Sequence, residues 1–456
     1  MTYDKNVTII AQITPQGRGG VGILRISGER SKAVALKVLG KIPKTRCVNH
    51  MFFLDKNGLI LDKGIALWFN KPNSYTGEDV LELQGHGSPV ILDLLIKNIT
   101  LIDGVRIARP GEFSERAFLN GKMDLAQAES IIDLINATSE KAAKLSLQSL
   151  QGVFSSKIFK LMNSIKKIRL NLEAEMNFPE EEMALFSEED IVDQLNSIIS
   201  SINKILNISN QGRILREGVK VVIVGPANAG KSSLFNSLSL SNSAIVTDQQ
   251  GTTRDVLREY VNIDGIQFEI VDTAGLRSTD NEIESIGIER AYKEIELAEH
   301  ILFVIDSTLD QSIQNKTYFD FCNTVQNKSS ITVILNKSDL LSQKNSIKNI
   351  NGQTFISLSA YTGDGISLLR RHLKEKNLGS CESTEGIFLA RRRHLNALNS
   401  ALKVISESKE NWIISRKWEL LADDLRIAQN FLGQILGVFT TDDLLENIFS
   451  EFCIGK

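Results

Sequence analysis

Cysteine is scarce: there are four in 456 residues, at Cys47, Cys322, Cys381 and Cys453. They form no CxxC pair and no Cys/His ligand spacing, which argues against a disulfide framework and against a zinc site. Long apolar runs are missing too. No stretch reaches the ~18 residues that a membrane helix needs, and the start MTYDKNVTIIAQ lacks a basic region followed by a long apolar core. Neither a membrane span nor a signal peptide is expected, and the default address is cytoplasmic. No sign of charge dominates. With 52 Lys and Arg against 55 Asp and Glu, the formal net charge is −3, so a nucleic-acid partner must be held by local patches and not by a global field. Internal repeats and low-complexity segments are absent. What remains is an ordinary globular composition, 42% hydrophobic, in a chain long enough for about two to four domains with cores of their own.

The texture changes along the chain. Up to residue 118, apolar stretches such as GVGILRIS, GIALWF and DVLELQGH between Gly/Pro/Asn-rich turns read as strands, and PVILDLLIKNI reads as a helix. Residues 1–118 therefore form a small α+β domain. Beyond Lys122 the period becomes helical: Leu147, Leu150, Phe154, Ile158, Leu161, Ile165, Ile168 and Leu172 recur by threes and fours, as one long amphipathic helix would place them. A second helical tract fills roughly 386–452, with ARRRHLNALNSALKVI and then ELLADDLRIAQNFLGQIL. An α/β segment separates the two. The simplest architecture is multidomain α+β and α/β: a helical domain in two parts, 119–215 and 381–456, into which a domain of residues 216–380 is inserted.

The middle segment carries the strongest chemistry. The apolar strand KVVIV at 220–224 runs straight into GPANAGKSS, which opens the helix SLFNSL. In that setting Gly225 and Gly230 let backbone N–H groups face phosphate, Lys231 reaches the β- and γ-phosphates, and the Ser232 hydroxyl can ligate Mg²⁺. GTTRD follows at 251–255. DTAG at 272–275 closes the strand FEIV, so that Asp272 can hold Mg²⁺ through water and the Gly275 N–H can meet the γ-phosphate. NKSD at 336–339 closes ITVIL, and the Asp339 carboxylate can accept both the N1–H and the exocyclic amine of guanine, which adenine does not offer. Ser359-Ala360 after FISL completes the set. Order, residue types and strand contexts agree, so the expected ligand is GTP in a Ras-like P-loop G domain.

One expected group is missing. The residue after the DTAG glycine, often a Gln that orients the attacking water, is Leu276. Arg277, Asp280, Glu282 and Glu284 in the following loop are the candidates, each equally readable as a solvated loop charge. Transition-state charge also needs a counter-charge. An Arg from a partner or a monovalent cation would supply it, and Asn228 inside the P-loop is placed either to hold such a cation or to brace the loop by Asx-type hydrogen bonds.

Taken together, GRGGVGILRISG, LELQGHG, RPGEFSERAFLNGK, LREGVKVVIVG, GTTRDVLREY, DTAGLR, GIERA, FLARRRHL and the terminal TTDDLLENIFSEFCIGK resemble the MnmE (TrmE) family of tRNA modification GTPases over essentially the whole chain. The resemblance implies that Asn228 coordinates K⁺ with backbone carbonyls of the loop containing Thr247, Gln249 and Thr252, the ion taking the part of an arginine finger. It implies that Ser232 and Thr253 ligate Mg²⁺, that Glu284 orients the attacking water through a bridging water, and that Arg277 supports the second switch. The nucleotide-binding set then comprises Asn228, Ala229, Gly230, Lys231, Ser232 and Ser233; Thr247, Asp248, Gln249, Gln250, Gly251, Thr252 and Thr253; Asp272, Thr273, Ala274 and Gly275; Asn336, Lys337 and Asp339; and Ser359 with Ala360. Two departures stand out: the family usually has Pro directly before the Asn, where this chain has Pro226-Ala227, and Gln249-Gln250 replaces a more apolar pair.

For the N-terminal domain the same resemblance implies homodimerisation and binding of 5,10-methylene- or 5-formyl-tetrahydrofolate, with Arg25, Glu82 and Lys122 at folate-binding positions. A carboxylate such as Glu82 can accept the paired N–H donors of a pterin, and Arg25 or Lys122 can meet carboxylate or carbonyl oxygens. By themselves GRGGVG reads as tight turns between strands and His86 as a hydrogen-bonded structural histidine. The FCIGK tail would bring Cys453 near the one-carbon unit and Lys456 near the cofactor, with Cys453 as nucleophile or acid/base group; the alternative is that Cys453 packs between Phe452 and Ile454. The Arg391-Arg392-Arg393-His394 cluster is as readily a solvated helix face as a phosphate contact for tRNA. The implied activity is a potassium-activated GTPase that, with the FAD-dependent partner MnmG (GidA), adds an aminomethyl or carboxymethylaminomethyl group to C5 of the wobble uridine (U34). A regulatory or ribosome-assembly GTPase is the competing class.

Overall fold

The computed structural model describes residues 7–137, 139–177, 188–239, 257–264, 266–272, 293–325, 330–341, 345–378, 388–438 and 442–455. It divides into two compact units, one of Met1–Asn136, Ser146–Ile205 and Arg393–Lys456, the other of Ala137–Leu145 and Leu206–Arg392.

The first unit contains a six-stranded sheet built from β1 (Thr8–Gln12), β2 (Gly19–Ser27), β3 (Asn49–Leu54), β4 (Ile60–Phe69), β5 (Val80–Gly87) and β6 (Val105–Ile107), in the order β3-β4-β5-β2-β1-β6. Alternation along the strands gives the sheet two different faces. Ile10, Leu24, Ile26, Leu81 and Leu83 form one core with Val34 and Val38 of helix Ser31–Leu39 and with Leu92, Leu95 and Ile99 of helix Pro89–Thr100. On the other face Ile9 and Ala11 pack with Ala108 and Phe113, and Tyr75 lies against them. Arg25 and Glu82, offset by one residue from Leu24 and Leu81, pair across β2 and β5 on that second face.

The helical part of this unit departs from the sequence reading in one place. The long helix is two, Glu140–Leu150 and Val153–Asn177, because Gly152 takes a left-handed φ of 85°. Beyond the break Phe154, Ile158, Leu161, Ile165, Ile168 and Leu172 are all buried as the periodicity requires, whereas ahead of it Leu147 is 46% exposed and Ala142, Leu145 and Ser149 are the buried residues. Helix Val153–Asn177 packs along helix Trp418–Leu436, with Arg169 donating to Gln429 Oε1 at 2.9 Å. Among the described residues no helix is long and apolar enough to cross a membrane.

The second unit is a seven-stranded sheet of β7 (Val219–Val224), β8 (Leu257–Ile263), β9 (Ile266–Asp272), β10 (His300–Asp306), β11 (Ser330–Asn336), β12 (Ser346–Ile350) and β13 (Gln353–Ser357), ordered β12-β13-β11-β10-β7-β9-β8. The five central strands are parallel and the two edges antiparallel. Near-continuous apolar runs such as HILFVID are what a strand covered on both faces requires. In such a sheet ligands bind beyond the carboxyl ends of the strands. Here the ends of β7, β9, β11 and β13 carry the sequence motifs.

Candidate functional site

The loop after β7 turns through Gly225 (φ 148°), Asn228 (φ 61°) and Gly230 (φ 92°) into helix Lys231–Ser239. A Cβ on Gly225 would lie 2.2 Å from the Val304 carbonyl oxygen, and one on Gly230 would lie 2.1 Å from Asn336 Nδ2, so both glycines are sterically required. Asn336 joins three motifs through its amide: Nδ2 donates to the Ala229 carbonyl at 2.9 Å, and Oδ1 accepts from the Ala360 N–H at 2.9 Å. Phosphate loop, base loop and the Ser359-Ala360 segment are thereby held together by one buried side chain.

Ser232 donates to Asp272 Oδ2 at 3.0 Å. The hydroxyl and the buried carboxylate are hard oxygen donors side by side, the chemistry Mg²⁺ takes. Lys231 Nζ donates to the Pro226 carbonyl at 2.8 Å, so it is turned back on its own loop. Asn228, Ser232, Ser233 and Asp339 are exposed, whereas Ala229, Lys231, Ser359 and Ala360 are buried. Lys337 has φ 67° and pairs at 2.5 Å with Asp306, a residue at the end of β10 that belongs to none of the sequence motifs. Burial opposes ionisation of Asp306, but its bonds to Lys337 and Thr308 outweigh that and hold the carboxyl below the usual range. Thr247, Asp248, Gln249, Gln250, Gly251, Thr252, Thr253, Thr273, Ala274, Gly275, Arg277 and Glu284 lie outside the described residues, as does Lys456.

A second cluster sits on the open face of the six-stranded sheet. Arg25 Nε donates to Glu82 Oε1 at 2.9 Å, and the guanidinium carbon lies 4.9 Å from the Tyr75 ring centroid and 5.7 Å from that of Phe113. Tyr75 is fixed by Ser114, at 2.8 Å between hydroxyls. Burial raises the Tyr75 pKa. Lys122 is exposed and donates to the Pro72 carbonyl at 2.9 Å, three residues from Tyr75. Beneath Phe113, the buried Glu112 accepts from Arg106 at 2.6 and 2.7 Å and from the buried Arg116 at 3.2 Å, and Arg116 also pairs with Glu78 at 3.1 Å. Burial alone would raise the Glu112 pKa; the bonds from Arg106 and the Arg109 N–H, with the Arg116 charge, lower it instead.

The chain's last described residues dock on the edge of this cluster. Phe452 is buried with Leu125, Ala128, Ile132, Ile448 and Phe449, Ile454 bridges to Pro110, and the Gly111 N–H faces the Cys453 carbonyl at 3.5 Å. Gly111 (φ 68°) leaves 2.4 Å between an added Cβ and the Phe449 carbonyl, and Gly455 (φ 102°) leaves 2.4 Å to the Gln12 carbonyl. Two glycines on opposite sides therefore allow the close approach. Cys453 itself is a free thiol and is exposed, so Phe452, and not the cysteine, is the packing residue. The basic cluster divides: Arg393 makes two bonds to the buried Glu129, at 2.8 and 2.7 Å, Arg391 and His394 are buried, and Arg392 is exposed. Burial opposes the charge on Glu129, and His394 and Arg393 overcome it, lowering its pKa strongly.

Residues 8–122 match the model of the GTP-binding protein TrmE N-terminus, and residues 125–453 match that of the MnmE helical domain. The tRNA modification GTPase MnmE of Pectobacterium carotovorum subsp. carotovorum (strain PC1) is 53% identical over 450 residues, covering 98% of this chain and 99% of that one. Among solved structures, a point variant of Aquifex aeolicus Era bound to GDP.AlF4⁻ matches 41% of this chain and 66% of its own at 23% identity and a TM-score of 0.27. The G domain of the T. maritima FeoB iron transporter matches 34% of this chain and 97% of its own at 21% identity and a TM-score of 0.25. Those two likenesses concern the fold alone and carry no further argument. The 53% identity over nearly the whole chain and the two family models show that the chain belongs to the MnmE family of tRNA modification GTPases.

Proposed function

We propose that this GTPase is activated by potassium and, as a homodimer working with an FAD-dependent partner of the MnmG (GidA) kind, adds an aminomethyl or carboxymethylaminomethyl group to C5 of tRNA U34. The observation that carries the reading is the docked tail: Phe452 to Gly455 rest against loop 108–113 and the end of β1, on the sheet that presents Arg25 and Glu82. The docking of the tail on Pro110, Gly111 and the end of β1 supports reading Cys453 as part of the site where a tetrahydrofolate one-carbon donor would meet Arg25 and Glu82. Glu82 would accept pterin N–H donors, Arg25 would meet an oxygen of the cofactor after giving up part of its pairing, and Lys122 would leave the Pro72 carbonyl to meet a folate carboxylate. The folate, when bound, supplies the one-carbon unit.

In the G domain, Asn336 holds the phosphate and base loops at working distance, Asp339 selects guanine, and Lys231 must swing from the Pro226 carbonyl to the phosphates. Ser232 and Asp272, with Thr253, have the oxygen chemistry for Mg²⁺. Asn228, at φ 61° and exposed, is the side-chain ligand for K⁺, completed by carbonyls of Thr247, Gln249 and Thr252; the ion supplies positive charge against the phosphates. Glu284 orients the water and Arg277 supports its loop.

Hydrolysis in KCl should exceed that in NaCl at equal ionic strength, and equal rates would remove Asn228 from the reading. Equilibrium binding of 5-formyl-tetrahydrofolate, weakened by Arg25→Ala, tests the second site. A chain that hydrolyses GTP but binds no folate and alters no tRNA nucleoside would be a regulatory or ribosome-assembly GTPase.

A further inference from the structure

Lys337 lies in the loop that follows β11, and on the family reading its side chain borders the guanine site opened by Asn336 and Asp339. A lysine stem is flexible, and ordering it on nucleotide binding would cost rotamer freedom. Here it is ordered beforehand. Its ammonium pairs with Asp306 Oδ2 at 2.5 Å, and the other carboxylate oxygen, Oδ1, accepts from the Thr308 hydroxyl at 2.7 Å and from the Thr308 N–H at 2.9 Å. With both oxygens engaged the carboxylate cannot rotate away. The Ser307 N–H donates to the Asn336 carbonyl at 2.9 Å, and Asp306 stands opposite Asn336 in the β10–β11 register, so the backbone carrying Asp306 is latched to the backbone of the base loop.

We propose that Asp306 is a positioning residue for GTP: braced by Thr308, it fixes the Lys337 stem so that its apolar flank is set against the plane of the guanine before the nucleotide arrives. This rests on the reading of 336–339 as the guanine loop. A stem fixed in this way covers a base by packing and not by hydrogen bonding, so Asp306 acts on affinity for the nucleotide and not on discrimination between bases, which remains with Asp339. Nor does it reach the γ-phosphate chemistry at Ser232 and Asp272. Its effect belongs in binding and leaves turnover alone.

The test uses the full-length protein, freed of nucleotide, with GTP binding measured by calorimetry and hydrolysis at saturating GTP. Asp306→Asn, which keeps the shape and removes the charge, should weaken GTP binding about tenfold, equivalent to about 1.4 kcal/mol. Thr308→Val should weaken it less, and Asp306→Glu, which can still reach the ammonium, should recover most of the loss. The turnover number should stay within about twofold, the GTP:ITP affinity ratio should not move, and the melting temperature of the nucleotide-free protein should be preserved. Unchanged GTP affinity in Asp306→Asn overturns the proposal, as does a fall in turnover or in apo melting temperature that accounts for the loss. Asp339→Asn separates the two readings. If it fails to shift preference from GTP towards XTP, the guanine loop is misassigned; if it does shift and Asp306→Asn binds GTP normally, only the role of Asp306 falls.

Discussion

Replacing Asn336 by Ala removes a buried side chain that ties the phosphate loop to the Ser359-Ala360 segment. The wild-type amide satisfies the Ala229 carbonyl and the Ala360 N–H, both at 2.9 Å, from a position that is 2% exposed. A buried backbone group that loses its partner costs about 1–3 kcal/mol, so two of them cost about 2–6 kcal/mol together. The free protein can avoid part of this by letting the two loops separate and take up water, but GTP needs them together. The cost therefore falls on binding, and at about 1.4 kcal/mol per tenfold it weakens GTP affinity by roughly 30-fold or more. Asn336→Asp is a sharper variant. It keeps an acceptor for the Ala360 N–H yet sets a carboxylate oxygen against the Ala229 carbonyl, so it should bind GTP no better than Asn336→Ala. Calorimetric titration of nucleotide-free protein with GTP reads both. If the two variants bound GTP within about twofold of wild type, the bridging role of Asn336 would be refuted.

Gly455→Ala puts a Cβ 2.4 Å from the Gln12 carbonyl at a left-handed φ of 102°, a conformation costing a non-glycine residue about 1–3 kcal/mol before any clash; modified uridine should drop while GTP hydrolysis is kept, and Gly58→Ala, at φ 79° with open space around it, serves as the control for a left-handed glycine far from the tail. Normal modification by Gly455→Ala would show that the docked tail end is not used. His300 is fully buried, donating to or accepting from Thr332 at 3.0 Å, and burial, with His372 and Lys376 nearby, lowers its pKa to about 3. The folded protein then refuses a proton that the unfolded chain takes up below about pH 6.5, so stability falls as pH drops, by about 2 kcal/mol between pH 7 and pH 5. Urea unfolding of wild type and His300→Gln at both pH values checks this: the variant should lose less, and equal losses would put the effect elsewhere.

Four of the G-domain motifs were legible because each is a contiguous run following an apolar strand, a pattern local enough to read without the fold. The strands GVGILRIS and DVLELQGH were legible for a similar reason, their period of two. What sequence reading missed was made by contacts between distant residues. Asp306 ends β10 and Lys337 lies in the loop after the neighbouring β11, and the two carry no joint signature. Arg393 looked like surface charge until the fold brought Glu129 to it from the first helical tract. The break at Gly152 was hidden by apolar spacing that runs across it in the sequence. Arg25 and Glu82 were singled out only through family resemblance, since neither residue type nor spacing marks them, and the aromatic pair Tyr75 and Phe113 beside Arg25 was not foreseen at all.

The central claim is that the GTPase and the docked Cys453 tail serve one tRNA modification. Mass spectrometry of tRNA nucleosides from cells lacking this protein, complemented with wild type or with Cys453→Ser, tests it most directly, provided both proteins are checked for GTP hydrolysis. The account predicts that wild type restores the C5-modified uridine and that Cys453→Ser hydrolyses GTP normally but leaves U34 unmodified. Full modification by Cys453→Ser would reduce the tail to a structural anchor, and failure of the wild type itself to restore modified uridine would contradict the account.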